Sequence, residues 1–223
     1  MHKLHSFIRQ ITLSAFLLAG LPGLTRASLV ITEVMSSGAQ SNRDWWELTN
    51  TGPASVNLQN YQWEDNPAGG FGVDTAIFPS ASIAAGESII VTQMLSTDAP
   101  TFSQLWGLGG GVQVLYANTF TGNNTFSGLG SSGDGVVLYN SGGTPVASVT
   151  FGAATAGSSF EWDTNGSFLG VSVNGSHGAY IAPGFTPNAG GDIGSPGTSV
   201  PEPASLALLM SLGLPLLSRR RRV

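Results

Sequence analysis

The 223-residue sequence predicts an all-β protein, a two-sheet antiparallel sandwich. Three observations predict it. Short runs rich in Val, Ile, Thr and aromatic residues recur with apolar and polar side chains alternating, the period of a half-buried strand. These runs are separated by Gly, Asn, Ser and Pro, the residues that build turns, and Gly alone numbers 31. Strong helix formers are sparse, and within the body only residues 101–108 suit a short helix.

The elements follow in chain order. Residues 1–27 have the parts of a secretory signal peptide: Lys3 and Arg9 near the start, an apolar run over 11–21, a Pro22-Gly23 break, and small residues at Thr25 and Ala27. Cleavage is expected between Ala27 and Ser28. His2 and His5 fall in this segment and carry no chemistry. The first expected strand is 29–35, followed by a polar loop over 36–43. The next is Asp44-Trp45-Trp46-Glu47-Leu48-Thr49-Asn50, ended by Thr51-Gly52-Pro53. Alternation sends Trp45 and Trp46 to opposite faces, so one of the two is exposed or needs a cover.

Short extended pieces are expected at 56–58, 61–63, 77–78 and Ile83, and a strand at 87–93 after an Ala85-Gly86 turn. A strand at 112–116 follows, then a glycine-rich stretch over 126–135. The clearest hairpin joins 136–139 to 146–151 through a turn at 140–144. Residues 160–162 and 168–173 close the sheets. Residues 183–199, rich in Pro and Gly, read as a linker, so the folded domain is expected to span 28–182. The stretches 67–73 and 95–124 stand out as long loops.

Charge bounds the partners. Between Ser28 and Val200 there is one cation, Arg43, against twelve carboxylates, a net charge of about −11. Phosphate neutralisation needs Lys and Arg, so nucleic acid is excluded as a direct partner. There is no cysteine, and a body of about 170 residues buries enough core without disulfides.

Candidate chemistry is thin. His177 is the sole histidine of the body, and no serine is marked as a nucleophile beside it, so no enzyme activity is expected. Gly128-Leu129-Gly130-Ser131-Ser132-Gly133 fits a nucleotide-binding glycine pattern only in letters, because no strand–turn–helix surrounds it. Asp163-Thr164-Asn165-Gly166 is a fragment of a calcium-loop pattern, and Asp44, Glu47, Glu64 and Asp65 could gather in space. No cofactor is expected, with calcium the one left open. Three Asn-x-Ser/Thr triplets, at Asn123, Asn165 and Asn174, read as turn signals first. Trp45, Trp46, Trp63, Trp106 and Trp162 could stack on sugars, but core positions account for most of them.

The tail, residues 200–223, is the most specific stretch. Pro201, Glu202 and Pro203 hold the chain extended; an apolar run over 204–217 follows; Arg219, Arg220, Arg221 and Arg222 end it. The run spans roughly 21 Å as a helix at about 1.5 Å per residue, short against a hydrocarbon core of about 30 Å. The arginines stay on the cytoplasmic side and place the body outside. This order of parts resembles the PEP-CTERM sorting signal of Gram-negative bacteria. The resemblance implies recognition by an exosortase, a membrane-embedded transpeptidase, cleavage near Pro201-Glu202-Pro203, and a setting of biofilm or extracellular polysaccharide production.

A second resemblance covers nearly the whole body. Ile31-Thr32-Glu33-Val34, the Asp44–Gly52 run, Val56-Asn57-Leu58 and Tyr61-Gln62-Trp63-Glu64-Asp65 look like the opening of a lamin-tail domain. Residues 83–91, the hairpin over 133–151, Pro187-Asn188 and Ser195-Pro196-Gly197 continue the likeness. It implies an immunoglobulin-like β-sandwich with no shared catalytic residues.

The combined expectation is a non-enzymatic exported protein, anchored for a time in the inner membrane through its tail and then placed in the outer envelope, on the cell surface or outside the cell. Its expected partners are the secretion machinery and an exosortase, with exopolysaccharide as a further candidate. The alternatives are a carbohydrate- or calcium-binding surface module and, third, a secreted hydrolase.

Overall fold

A computed structural model describes residues 28–199 except 40–42, 67, 69, 127 and 186–189. The sorting-signal residues, the apolar run 204–217 and Ala27 of the expected cleavage site lie outside the described residues. Among the described residues, no helix is long and apolar enough to cross a membrane.

The strands arise where the alternation places them. They are β1 (Leu29–Met35), β2 (Trp45–Asn50), β3 (Val56–Asn57), β4 (Gln62–Glu64), β5 (Ala76–Ile77), β6 (Ser82–Ile83), β7 (Ser88–Thr92), β8 (Gln113–Tyr116), β9 (Thr121–Gly122), β10 (Asp134–Tyr139), β11 (Pro145–Phe151), β12 (Phe160–Trp162), β13 (Phe168–Val171), β14 (Tyr180–Ile181) and β15 (Ile193–Gly194). The expected helix forms as α1 (Phe102–Trp106). Thr101 caps it through the amide of Gln104, the Gln104 side chain reaches back to the Thr101 amide, and Gly107 ends it in the left-handed region.

Two sheets make a β-sandwich. One has six strands in the order β13-β12-β1-β2-β7-β8; the other has five, β11-β10-β4-β5-β9. Ribbons β3–β6 and β14–β15 sit beside them. The expectation of purely antiparallel pairing fails where β8 lies parallel to β7, and again at an isolated parallel bridge between Ser158 and Ile193. A parallel partner needs a long crossover, and residues 93–112, with α1 inside them, supply it. The expected loop over 95–124 is therefore mostly structured.

The sandwich core joins the inner faces of both sheets. Trp46 lies edge-on to Trp63 at 5.4 Å, and Trp63 to Phe126 at 4.7 Å, with Ile31, Leu48, Phe78, Ile89 and Leu138 packed around them. A second apolar cluster covers the outer face of the six-stranded sheet. There Trp45, Met35 and Ile90 meet Phe102, Leu105 and Trp106 of α1, together with Ala182 and Phe185. Both members of the Trp45-Trp46 pair are fully buried, and α1 is the cover that the alternation requires for Trp45.

Residues 190–198 depart from the expected linker. β15 pairs with β14, Asp192, Gly194 and Ser195 are buried, and Gly197 packs on Val112. Backbone bonds of Ile193 to Gly157 and Ser159 and the polar bonds of Ser195 and Gly197 hold this segment against the sheet, with Pro196 buried beside them.

Candidate functional site: a buried carboxylate network

The same strands that feed the sandwich core present acidic residues on the other side. In β2 the two-residue period puts Trp46 and Leu48 inward and Trp45, Glu47 and Thr49 outward. In β1 the pairing register with β2 shifts between Ile31 and Glu33. Thr32 is the extra residue of this bulge, which lets both it and Glu33 join the outer-face polar groups. Glu33 and Glu47 then face each other as direct cross-strand partners, 1 % and 0 % exposed.

Each glutamate is held by donors. Ser195 donates to Glu33 twice, through its amide at 2.8 Å and its hydroxyl at 2.9 Å, and Ser159 Oγ lies 2.5 Å away. Glu47 accepts from the Gly197 amide at 2.6 Å and from Thr32 Oγ1 at 2.5 Å, and Thr32, Thr49 and Ser88 continue the chain of hydroxyls. Two of these donors come from the C-terminal segment. Burial, together with the facing Glu47, pushes the Glu33 carboxyl up to about 8, against the pull of Ser159 and Ser195. Burial pushes Glu47 up to about 7, against Thr32 and Gly197.

The network extends sideways along the sheet. Ser159 Oγ contacts Ser172 Oγ, which donates to Glu161 Oε1 at 2.9 Å, and Glu161 Oε2 lies 3.1 Å from Nδ1 of His177. The His177 side chain is 44 % exposed. An unbroken chain of polar contacts thus runs from the surface at His177 to the strand pair at the centre of the sheet.

The other candidates are dispersed. Glu47 and Glu64 sit on the outer faces of opposite sheets, so the four acids Asp44, Glu47, Glu64 and Asp65 do not gather. Glu64 accepts from the Tyr139 hydroxyl at 2.7 Å and the Gly70 amide at 3.0 Å. Burial and this carboxylate push the Tyr139 hydroxyl up to about 12. Asp44 accepts from the Leu129 amide and Asp134 from the Gly130 amide, so the glycine-rich stretch 128–133 spends its amides on protein carboxylates. It leads into strand β10 and offers no phosphate cradle. Asp163 Oδ1 accepts from the amides of Asn165 and Ser167, closing a turn on itself. Among the described residues no group of three or more acidic or histidine side chains could hold a metal ion. Arg43 stacks over Phe185 at 5.4 Å.

Sequence reasoning missed the Glu33–Glu47 pair and its partners. One signal was present: a glutamate in the middle of each of two strands whose neighbours are almost all apolar.

With this arrangement in view, the lamin tail domain family model matches residues 24–153. The chain belongs to the lamin tail domain family. No curated protein matches it. The lamin tail match contains Glu33 and Glu47 and ends before β12. Thr32, a partner of Glu47, lies within it, whereas Ser159, Ser195 and Gly197 lie beyond it, in residues that this chain folds back onto the lamin-tail sheet.

Proposed function

We propose that this lamin-tail protein is exported, carried to the envelope or the extracellular matrix of a Gram-negative bacterium by its C-terminal signal, and serves there as a structural or adhesive module. The observation that carries this reading is the order Pro201-Glu202-Pro203, apolar run, Arg219 to Arg222. On this reading the chain leaves through the secretion machinery, residues 204–217 hold it in the inner membrane for a time, and an exosortase acts near the Pro-Glu-Pro segment. Exopolysaccharide is its matrix partner.

The ends of the domain support a single tether. Ser28 and Ser199 line the same surface groove, so the mature N-terminus and the start of the tail leave together. Asp44 and Asp134 lie at the opposite end of the strands, beside Met35 and Phe151 in the register, and point that acidic end away from the membrane. No catalytic role is assigned. The His177 ring engages Glu161, and no serine hydroxyl bonds to it among the described residues.

The deciding experiment removes residues 200–223 in the native host and follows the protein by fractionation. Loss of envelope or matrix placement is expected, and unchanged placement sinks the reading. A second reading, sugar binding, is favoured by one feature. A groove of about 320 Å³ is lined by Tyr61, Asn140, Thr144, Pro145 and Val146, with no charged side chain among them. An aromatic ring with neutral hydrogen-bonding groups suits a neutral sugar. Calorimetry with neutral oligosaccharides tests it, and absence of heat removes it.

A further inference from the structure

The buried glutamates raise a question of proton count. Glu33, Ser159, Ser172 and Glu161 make three successive contacts: Glu33 to Ser159, Ser159 to Ser172, and Ser172 to Glu161. Each contact needs one hydrogen between its oxygens. The two serine hydroxyls supply two. The third hydrogen belongs to a carboxyl group, so this chain holds one acid proton. The neighbouring chain balances without one: Ser88, Thr49 and Thr32 supply three hydrogens for three contacts ending on Glu47, which accepts as a carboxylate. The count alone admits the acid proton at either end of the first chain, Glu33 or Glu161. Glu161 faces His177 whereas Glu33 faces a second buried carboxyl, so the proton belongs on Glu33 and the two facing glutamates share one negative charge.

We propose that residues 190–198 form a strap that stays seated while the Glu33 side of the network holds its proton and detaches as a unit when that proton is lost. The strap is held chiefly by polar bonds. Ser195 binds Glu33 and Gly197 binds Glu47. Nearer its start β15 pairs with β14, Ile193 bonds to the backbone of Gly157 and Ser159, and Asp192 accepts from the Ala39 amide. Loss of the proton leaves two carboxylates directly opposed across adjacent strands and out of water, which is strongly unfavourable. No lysine or arginine bonds to either one among the described residues. Lifting the strap gives both carboxylates access to water. The groups facing the pair are few. Glu161 on β12 is bonded to His177, Tyr180 on β14 donates to the Trp106 carbonyl, and Asp192 of the strap points instead to the Ala39 amide. The direction of the Glu33 titration agrees, since burial and the facing Glu47 both raise it in the closed form.

The His177–Glu161–Ser172–Ser159 chain connects the surface to this proton and gives it a route to solvent. The proposal stands apart from the sorting reading and rests on residues 28–199 alone.

Amide hydrogen exchange on the full chain tests it. After correction for intrinsic exchange, protection at Ser195 and Gly197 is expected to fall about tenfold per pH unit from about pH 5 to about pH 8, then level off, while Ile89 and Leu138 hold. Glu33→Gln cannot ionise, so the protection of its strap, whatever its level, is expected to stay flat across the range. If that variant fails to fold, Glu47→Gln removes the facing charge, and the fall should end at lower pH. Flat protection in the wild-type chain overturns the proposal. So does a fall of unchanged slope in Glu33→Gln, or an unchanged window in Glu47→Gln.

Discussion

The two faces of the six-stranded sheet bury the same strands in opposite ways. Inward, Ile31, Trp46 and Leu48 meet the second sheet through apolar contact alone. Outward, Trp45 is capped by α1, but Glu33 and Glu47 one pleat away are covered by a glycine-rich segment through hydrogen bonds. Both faces are dry. The inner one is stabilised at any pH, since burial of apolar surface does not depend on protons. The outer one is stable only while its carboxyl groups and its donors balance.

The largest expected effect breaks the inner face. Trp46→Ala removes a fully buried ring packed on Trp63 and Phe78 and should cost about 3–5 kcal/mol by denaturant unfolding.

Next comes the pH dependence of the outer face. Both glutamates titrate near the ordinary 4.5 when unfolded, whereas in the fold the facing pair keeps a proton on Glu33, whose carboxyl is raised to about 8. Between those values the folded chain binds more protons, so stability is greatest at mildly acid pH and falls as pH rises toward about 8. Thermal melts across that range should show the loss, and Glu33→Gln should flatten it. A melting temperature that rises with pH over the same range would contradict the assignment.

Smaller effects sharpen the contrast elsewhere. Tyr139→Phe removes one donor from the buried Glu64 on the other sheet and should cost about 1–2 kcal/mol. Thr101→Ala removes the helix cap and should cost about 1 kcal/mol, loosening the cover over Trp45 without touching the inner core. His177→Ala takes a 44 % exposed partner from the buried Glu161, which keeps its bond from Ser172, and should cost about 0.5–1 kcal/mol in the same unfolding assay. A larger loss would mean that the surface end of the network bears weight.

Much of the fold was legible residue by residue. The runs at 29–35 and 44–50, the 136–151 hairpin and the α1 segment were each marked by local period or by capping chemistry, and each formed. The opposed faces of Trp45 and Trp46 followed from alternation. The site was not legible. The bulge at Thr32 shifts register without any sequence marker. The segment 190–198 has no apolar period, and its partners lie 150 and 162 positions away in the chain. The parallel pairing of β8 escaped for a related reason: strand direction depends on the path of the crossover, which local patterning does not encode.

The amino-acid order alone determined where strands, turns and the helix start and stop, because period and turn chemistry act within a few residues. It also carried the sorting resemblance, which is a linear motif. Only the tertiary structure decided that two mid-strand glutamates face each other in a dry place under the returning chain. Proton balance there depends on distances between side chains remote in sequence, and no local rule contains them.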